Sequence, residues 1–394
     1  MNYLSFISLF CGGVAFAFLI WIVVPAPHYR LFEVAVAAGE WSLYFGALGL
    51  AGAALGLLAV ARGGGVHVPA WLAVGLGTMA LALSLVPPLS ARGVARDHSL
   101  KLSLREYIGS GDAESATQGL IERTISFAQH GDTRLDLDVY RAGGGQHRPA
   151  IIVVHGGAWS GGDKGDYPRW NRWLARQGFV VFDVQYRLAQ PNWQTATGDV
   201  KCAVGWVRQH ADEFGVDPAR LALLGRSAGG HLALLAAYTA RAPELPPSCD
   251  APDTSVRAVV SLYGATDLLW GYRHPANQRV LDGPGKIRGF LGGTPETAGD
   301  RFRLLSPVAQ VASDSPPTLL IHGGRDQLVG PEHTARLTQR LVEFGVPHRA
   351  LLVPYAQHAF DYNFNGWGSQ LTRAVLLDFL RRHLRDGAQT ALVG

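Results

Sequence analysis

An α/β domain built on a mostly parallel sheet, preceded by about three transmembrane helices, is the architecture that the sequence predicts. Three observations lead there. Residues 1–90 carry only four charged side chains, Arg30, Glu33, Glu40 and Arg62, in a chain that is 17% charged overall. Beyond residue 130, short apolar runs alternate with helix-length stretches. The middle runs are uninterrupted Val, Ile and Leu, the pattern of strands covered on both faces.

Taking the elements in order, Leu4 to Val24 is free of charge and long enough to cross a hydrocarbon core of about 30 Å as a helix. A second such run covers Trp41 to Val60. The third, Ala70 to Val86, is short and stops at Pro87-Pro88. Trp21, Trp41, Tyr44 and Trp71 lie near the ends of these spans, where amphipathic rings favour the interface. A cleaved signal peptide fits poorly, because no basic residues precede the first run. No ionisable side chain lies inside a span, so residues 1–90 read as an anchor rather than a transport path. Two spans with an interfacial third piece is the alternative. With three, the first loop shares its side of the membrane with the C-terminal domain, and that side carries Arg30, Arg92, Arg96, Lys101 and Arg105 against Arg62 opposite. The Lys/Arg bias predicts a cytoplasmic domain.

Residues 91–119 read as a linker, 120–385 as the α/β domain and 386–394 as a tail. Strands are expected at Thr133–Tyr140, Ala150–Val154, Phe179–Tyr186, Leu221–Leu224, Ala258–Tyr263, Thr318–Ile321 and His348–Val353. The net charge of +4 comes without a Lys/Arg-rich run, which excludes a nucleic-acid reading. Cys11, Cys202 and Cys249 are too few and too scattered for a disulfide framework or a paired-cysteine zinc site, and leave the redox compartment open.

In an open parallel sheet, reactive groups collect at the carboxyl ends of the strands. Leu221 to Leu224 is followed by Gly225-Arg226-Ser227-Ala228-Gly229 and an Ala/Leu-rich helix. A sharp strand-to-helix turn there would expose the Ser227 hydroxyl. A serine needs a base to take its proton and an acid to orient that base. Asp326, in His322-Gly323-Gly324-Arg325-Asp326, and His358 follow later strand ends in the chain order Ser, Asp, His. Asp267 is the rival acid, but it comes after an earlier strand and reads as structural. His231 reads as a packing residue, and His322 has no evident partner. His155-Gly156-Gly157, after the first central strand, offers backbone N–H groups of Gly156 and Gly157 that, with that of Ala228, would form an oxyanion hole.

These motifs, with Asp183-Val184-Gln185-Tyr186-Arg187-Leu188, resemble those of the α/β-hydrolase fold over about residues 120–385. Within it they are similar to the branch of hormone-sensitive-lipase-like, feruloyl-esterase-like and kynurenine-formamidase-like enzymes. Two departures stand out: Arg226 replaces the usual acidic residue before the nucleophile, and Ala158-Trp159 follow the His-Gly-Gly. They shift the resemblance toward the feruloyl-esterase-like and formamidase-like members. Residues and resemblance together imply a serine hydrolase of small-molecule or lipophilic carboxylic esters, integral to a membrane and needing no metal or organic cofactor. An amidase or formamidase with the same triad, and an inactive membrane-associated binding module, are the alternatives. Trp159, with Trp270 and Phe290 from the loop region 270–305, is expected to line an apolar entrance.

Overall fold

The computed structural model describes residues 3–62, 68–109 and 120–385. Eight strands form one sheet: β1 (Leu120–His130), β2 (Thr133–Ala142), β3 (Arg148–Val154), β4 (Val180–Val184), β5 (Val216–Arg226), β6 (Ala258–Leu262), β7 (Thr318–Gly323) and β8 (His348–Val353). Their order is β1-β2-β4-β3-β5-β6-β7-β8. β2 is antiparallel to both β1 and β4, and every pairing from β4 to β8 is parallel. This is the α/β-hydrolase fold. Side chains on successive residues of β3 feed opposite layers: Ile152 and Val154 join one buried cluster, Ile151 and Val153 the other. That alternation inside an all-apolar run is what covering both faces with helices requires. β1 is the strand absent from the sequence expectation. It lies on the edge, and Phe127 is its only buried side chain among those described, so its apolar signal is weak.

Among the described residues, three N-terminal helical stretches are long and apolar enough to cross a membrane: α1 (Tyr3–Leu19, continued to Ile22), α3 (Ser42–Ala61), and α4 (Val68–Ser84) together with the helix that follows it to Asp97. They pack through small residues. A Cβ on Gly52 would stand 2.5 Å from the Gly12 nitrogen, and one on Gly77 would stand 2.3 Å from the Gly49 oxygen, so these backbones meet only because glycine occupies the contacts. Between α1 and α3 runs α2 (Tyr29–Glu40), which packs on both parts: Phe32 against Val280 of the α/β domain, and Ala38 against Ala15, Leu19 and Ala80 of the bundle.

The third run departs from its expected end. α4 ends at Ser84, two residues before the expected end, and Pro87 and Pro88 sit in the first turn of a new helix, α5 (Val86–Asp97), where their missing N–H groups are no loss. The expected linker 91–119 is also folded over its described part. Ala91 and Ala95 of α5 are buried in the domain core, and Tyr107 of α6 (Leu104–Ile108) stacks on Trp367 at 4.5 Å between ring centroids. The Ser103 N–H donates to Gln370 Oε1 at 2.8 Å. Residues 110–119 and the tail 386–394 lie outside the described residues. Cys202 and Cys249 are disulfide-bonded, with Cα atoms 5.3 Å apart, leaving Cys11 as the free thiol. Spacing of 47 residues gave no hint of that pair.

Candidate active site

β5 ends at Arg226 and the helix Ala228–Tyr238 starts two residues later, so one residue must make the whole turn. Ser227 does so at φ 55° and ψ −121°, a left-handed conformation that costs a non-glycine residue about 1–3 kcal/mol. The turn closes because its flanks lack side chains: a Cβ on Gly225 would stand 2.0 Å from the Gly229 oxygen, and one on Gly229 would stand 2.2 Å from the His155 oxygen. The Ser227 N–H is fixed to the Leu262 carbonyl at 2.9 Å. Its hydroxyl is left facing the loop after β8.

There His358 Nε2 is 2.9 Å from Ser227 Oγ, and His358 Nδ1 is 2.6 Å from Asp326 Oδ2. The other oxygen of Asp326, Oδ1, accepts the N–H groups of Leu328 at 2.8 Å and Val329 at 2.9 Å, which locks the carboxyl plane. Burial pushes this carboxyl up, but His358 and His322 outweigh it and hold it well below the usual carboxylate range. Its anionic form is therefore the resident one at neutral pH. His322 has the partner that the sequence did not reveal: its Nε2 is 3.3 Å from Asp326 Oδ2 and 2.8 Å from the Val329 oxygen, and its Nδ1 is 2.7 Å from Thr334 Oγ1. The spacing of four residues in His322-Gly323-Gly324-Arg325-Asp326 was the available signal. Asp267 is elsewhere. It caps the helix Leu268–Arg273 by accepting the Trp270 N–H at 2.9 Å and pairs with Arg336.

Behind the turn, Arg226 is buried and its Nε donates to Asp361 Oδ2 at 2.6 Å, while its guanidinium lies 4.1 Å from the Tyr167 ring centroid. Asp361 also accepts the Tyr263 hydroxyl, and the Tyr263 ring centroid lies 4.4 Å from that of His358. The unusual Arg226 is thus neutralised by an aspartate three residues past His358. A pairing across 135 residues has no local sequence signal.

A cavity of about 480 Å³ opens onto Ser227 and His358, and Gly156, Gly157, Ala228 and Trp159 border it. The Asp183 to Leu188 motif holds the Gly156-Gly157 loop in place. Asp183 Oδ2 accepts the Gly165 N–H at 2.8 Å and Asn171 Nδ2 at 2.7 Å, and burial pushes its pKa up to about 7. Tyr186 stacks on His155 at 4.3 Å and donates its hydroxyl to the His155 carbonyl at 3.3 Å. Arg187 grips the buried Asp199.

Of the three expected entrance residues, only Trp159 borders the cavity. Phe290 is wholly buried behind it, stacked on the indole at 4.8 Å, and Trp270 packs on His274 and His333. Region 270–305 does reach the cavity, but through small or polar residues and the aliphatic Leu281 and Ile287 rather than through its aromatic rings. The Trp159 Nε1–H donates to His231 Nδ1 at 3.1 Å, and His231 Nε2 faces the Leu305 oxygen at 2.7 Å. Burial lowers the His231 pKa to about 4, so it is a neutral packing residue with a fixed tautomer.

The BD-FAE family model matches residues 137–341, just over half of the chain. The chain belongs to the BD-FAE family. The match takes in Gly156, Gly157, Ser227, Ala228 and Asp326; His358 and the apolar helices lie outside it. Two Mycobacterium tuberculosis proteins are similar to about two thirds of this BD-FAE chain. Esterase LipC is 36% identical over 266 residues, 65% of this chain and 64% of LipC. Probable carboxylic ester hydrolase LipM is 33% identical over 265 residues, 65% of this chain and 57% of LipM. The chain therefore spans less than two thirds of the length of either relative. Among solved structures, the Est2 esterase of Thermogutta terrifontis superposes with a TM-score of 0.54 at 24% identity, covering 68% of this chain and 93% of that one. At that identity the likeness speaks for the fold.

Proposed function

We propose that this chain is a membrane-anchored serine hydrolase that cleaves lipophilic carboxylic esters through an acyl-enzyme. The observation that carries the reading is the strained Ser227, with His358 Nε2 2.9 Å from its hydroxyl at the floor of a cavity of about 480 Å³. Ser227 Oγ attacks the ester carbonyl while His358 Nε2 takes its proton. Asp326 keeps the Nδ1–H tautomer and stabilises the imidazolium that forms. The N–H groups of Gly156, Gly157 and Ala228 receive the charge that develops on the carbonyl oxygen, which is worth several kcal/mol in a water-poor site. His358 then gives the proton to the departing alcohol, and water releases the acid by the same steps in reverse. The esterase names of LipC and LipM support the same class of substrate. Covalent labelling by a fluorophosphonate, mapped to Ser227, together with turnover of esters over matched anilides and formamides, tests the proposal. Labelling at another residue, or faster amide cleavage, would overturn it.

The anchor consists of α1, α3 and α4 crossing the bilayer. A contact supports three crossings: residues 23–40, between α1 and α3, bond to the α/β domain, as in the bond from the Ala26 N–H to Gln327 Oε1 at 2.8 Å. Loop and domain must share a side, so α3 and α4 cross together. The Lys/Arg bias assigns that side to the cytoplasm. One observation favours the opposite side, the Cys202–Cys249 bond, because structural disulfides persist in oxidising compartments.

A further inference from the structure

We infer that the segment between the first two apolar helices is a working wall of the active-site cavity, in which Phe32 and Tyr29 of α2 set the length of hydrocarbon chain that the site accepts. The inference rests on the ester-hydrolase reading above and adds the part of the protein that selects the substrate.

Both rings border the cavity that holds Ser227 and His358. Phe32 is 4% exposed and packs with Ala26 and Val280, backed by Leu328, which also borders the cavity. Tyr29 is 49% exposed and stands at the rim. The wall is fastened to the residues that flank the proposed acid and base. Arg325 donates to the Val23 carbonyl at 2.5 Å, and Gln327 Oε1 receives the Ala26 N–H at 2.8 Å. Asn277 Nδ2 donates to the Ala26 carbonyl at 2.8 Å and to Gln327 Oε1 at 2.9 Å. Gln327 Nε2 donates in turn to Gln357 Oε1 at 3.2 Å. Residues 325 and 327 bracket Asp326, and 357 precedes His358, so the segment cannot move without moving the site.

Its position names the substrate class. The first apolar helix ends at Ile22, Val23 and Val24 leave apolar surface exposed just after it, and Tyr29, further along the same segment, stands exposed at the cavity. A chain leaving the bilayer at that level meets Tyr29 first and the Phe32 ring deeper in. The substrate is accordingly an ester with a hydrocarbon chain that partitions into the membrane. In an apolar pocket one methylene changes discrimination by about tenfold or more, so removing the Phe32 ring must reset the preferred chain length.

The test uses the full chain in detergent micelles and a series of p-nitrophenyl esters from acetate to dodecanoate, with Ser227→Ala as the blank. Phe32→Ala should raise the ratio of kcat/KM for decanoate over butanoate about tenfold, and Phe32→Leu, which keeps the packing on Val280 and Leu328, should raise it by less. Tyr29→Ala, at an exposed position that carries little of the fold, should lower the same ratio through KM. Should Phe32→Ala fail to fold, Phe32→Leu and Tyr29→Ala carry the test. Turnover that depends on Ser227, with the ratio unmoved in the folded variants, would overturn this inference alone. Absence of Ser227-dependent turnover in the wild type would overturn the ester reading and this inference with it.

Discussion

Replacing Asp326 by Asn changes one atom and tests the proposed proton path at its most constrained point. Oδ1 of Asp326 holds two backbone N–H groups, from Leu328 and Val329, while Oδ2 faces His358 Nδ1 at 2.6 Å. An asparagine has one carbonyl oxygen, and the two N–H groups claim it. Its NH2 is then turned toward His358. A donor facing Nδ1 stabilises the imidazole with its proton on Nε2, and that tautomer cannot accept the Ser227 proton. Flipping the amide restores the His358 bond only by aiming NH2 at two N–H donors, each of which would lose a bond worth about 1 kcal/mol or more. In the serine-protease case the same substitution lowers kcat by about 10⁴. Here ~10³ to 10⁴ is expected, or about 4–5.5 kcal/mol in the barrier at 1.36 kcal/mol per factor of ten. The assay is single-turnover acylation with a p-nitrophenyl ester, with thermal unfolding run in parallel to show the domain intact. Asp267→Asn is the paired control: asparagine still caps the helix Leu268–Arg273, so activity should change less than about threefold. A loss below tenfold in Asp326→Asn, or a larger loss in Asp267→Asn, would refute the reasoning.

Ser227→Ala and His358→Ala should each lower kcat by at least about three orders of magnitude with folding retained, since members of such a set act as a unit; near-normal turnover in either removes the mechanism. Acid should destabilise the fold through His231, which is fully buried with its pKa lowered to about 4 from an ordinary 6.5. Between those pH values the unfolded chain binds a proton that the folded one does not, so stability is present above pH 6.5 and falls as pH drops toward 4, by roughly 3 kcal/mol. His231→Gln, which can still accept from Trp159 and donate to Leu305, should flatten the dependence of Tm on pH across that window; an unchanged slope would assign it to other groups. Acid-quenching of cells, then denaturation and alkylation read by mass spectrometry, should find Cys202 and Cys249 as free thiols if the domain is cytoplasmic and disulfide-bonded if it faces an oxidising side; denaturation is needed because Cys202 is buried, and a reporter fused after Arg105 should agree with that outcome.

Features carried by adjacent residues were legible in the sequence. The covered strands announce themselves as unbroken Val, Ile and Leu, and the turn at Ser227 announces itself through Gly225 and Gly229. The positions of Asp326 and His358 just past strand ends could be read for the same reason. What escaped was set by pairing across the chain. Arg226 looked like a departure until Asp361 was seen beside it, and His322 looked idle although Asp326 is only four residues away. Aromatic content misled in the region 270–305: Phe290 and Trp270 serve the packing of Trp159 and His333, because large rings near a cavity fill the core behind it as readily as they line it.

The first loop shows most plainly why composition alone undersells a segment. Residues 23–40 read as a short connection between two apolar runs, and nothing within them hints at chemistry. Their bonds run to Arg325, Gln327 and Asn277, some 250 to 300 residues away, and no periodicity can register partners at that distance. The physical consequence is that the N-terminal helix bundle and the domain are not separable units joined by a tether. A loop fastened on both sides of Asp326 makes α1, α3 and α4 part of what holds the cavity in shape, and the described part of the expected linker, docked through Tyr107 and Trp367, removes the slack that a tether would need. The Ser227 site is therefore held at a fixed position beside the helix bundle, and on the ester-hydrolase reading proposed above a chain-bearing substrate would enter from the side on which Tyr29 stands.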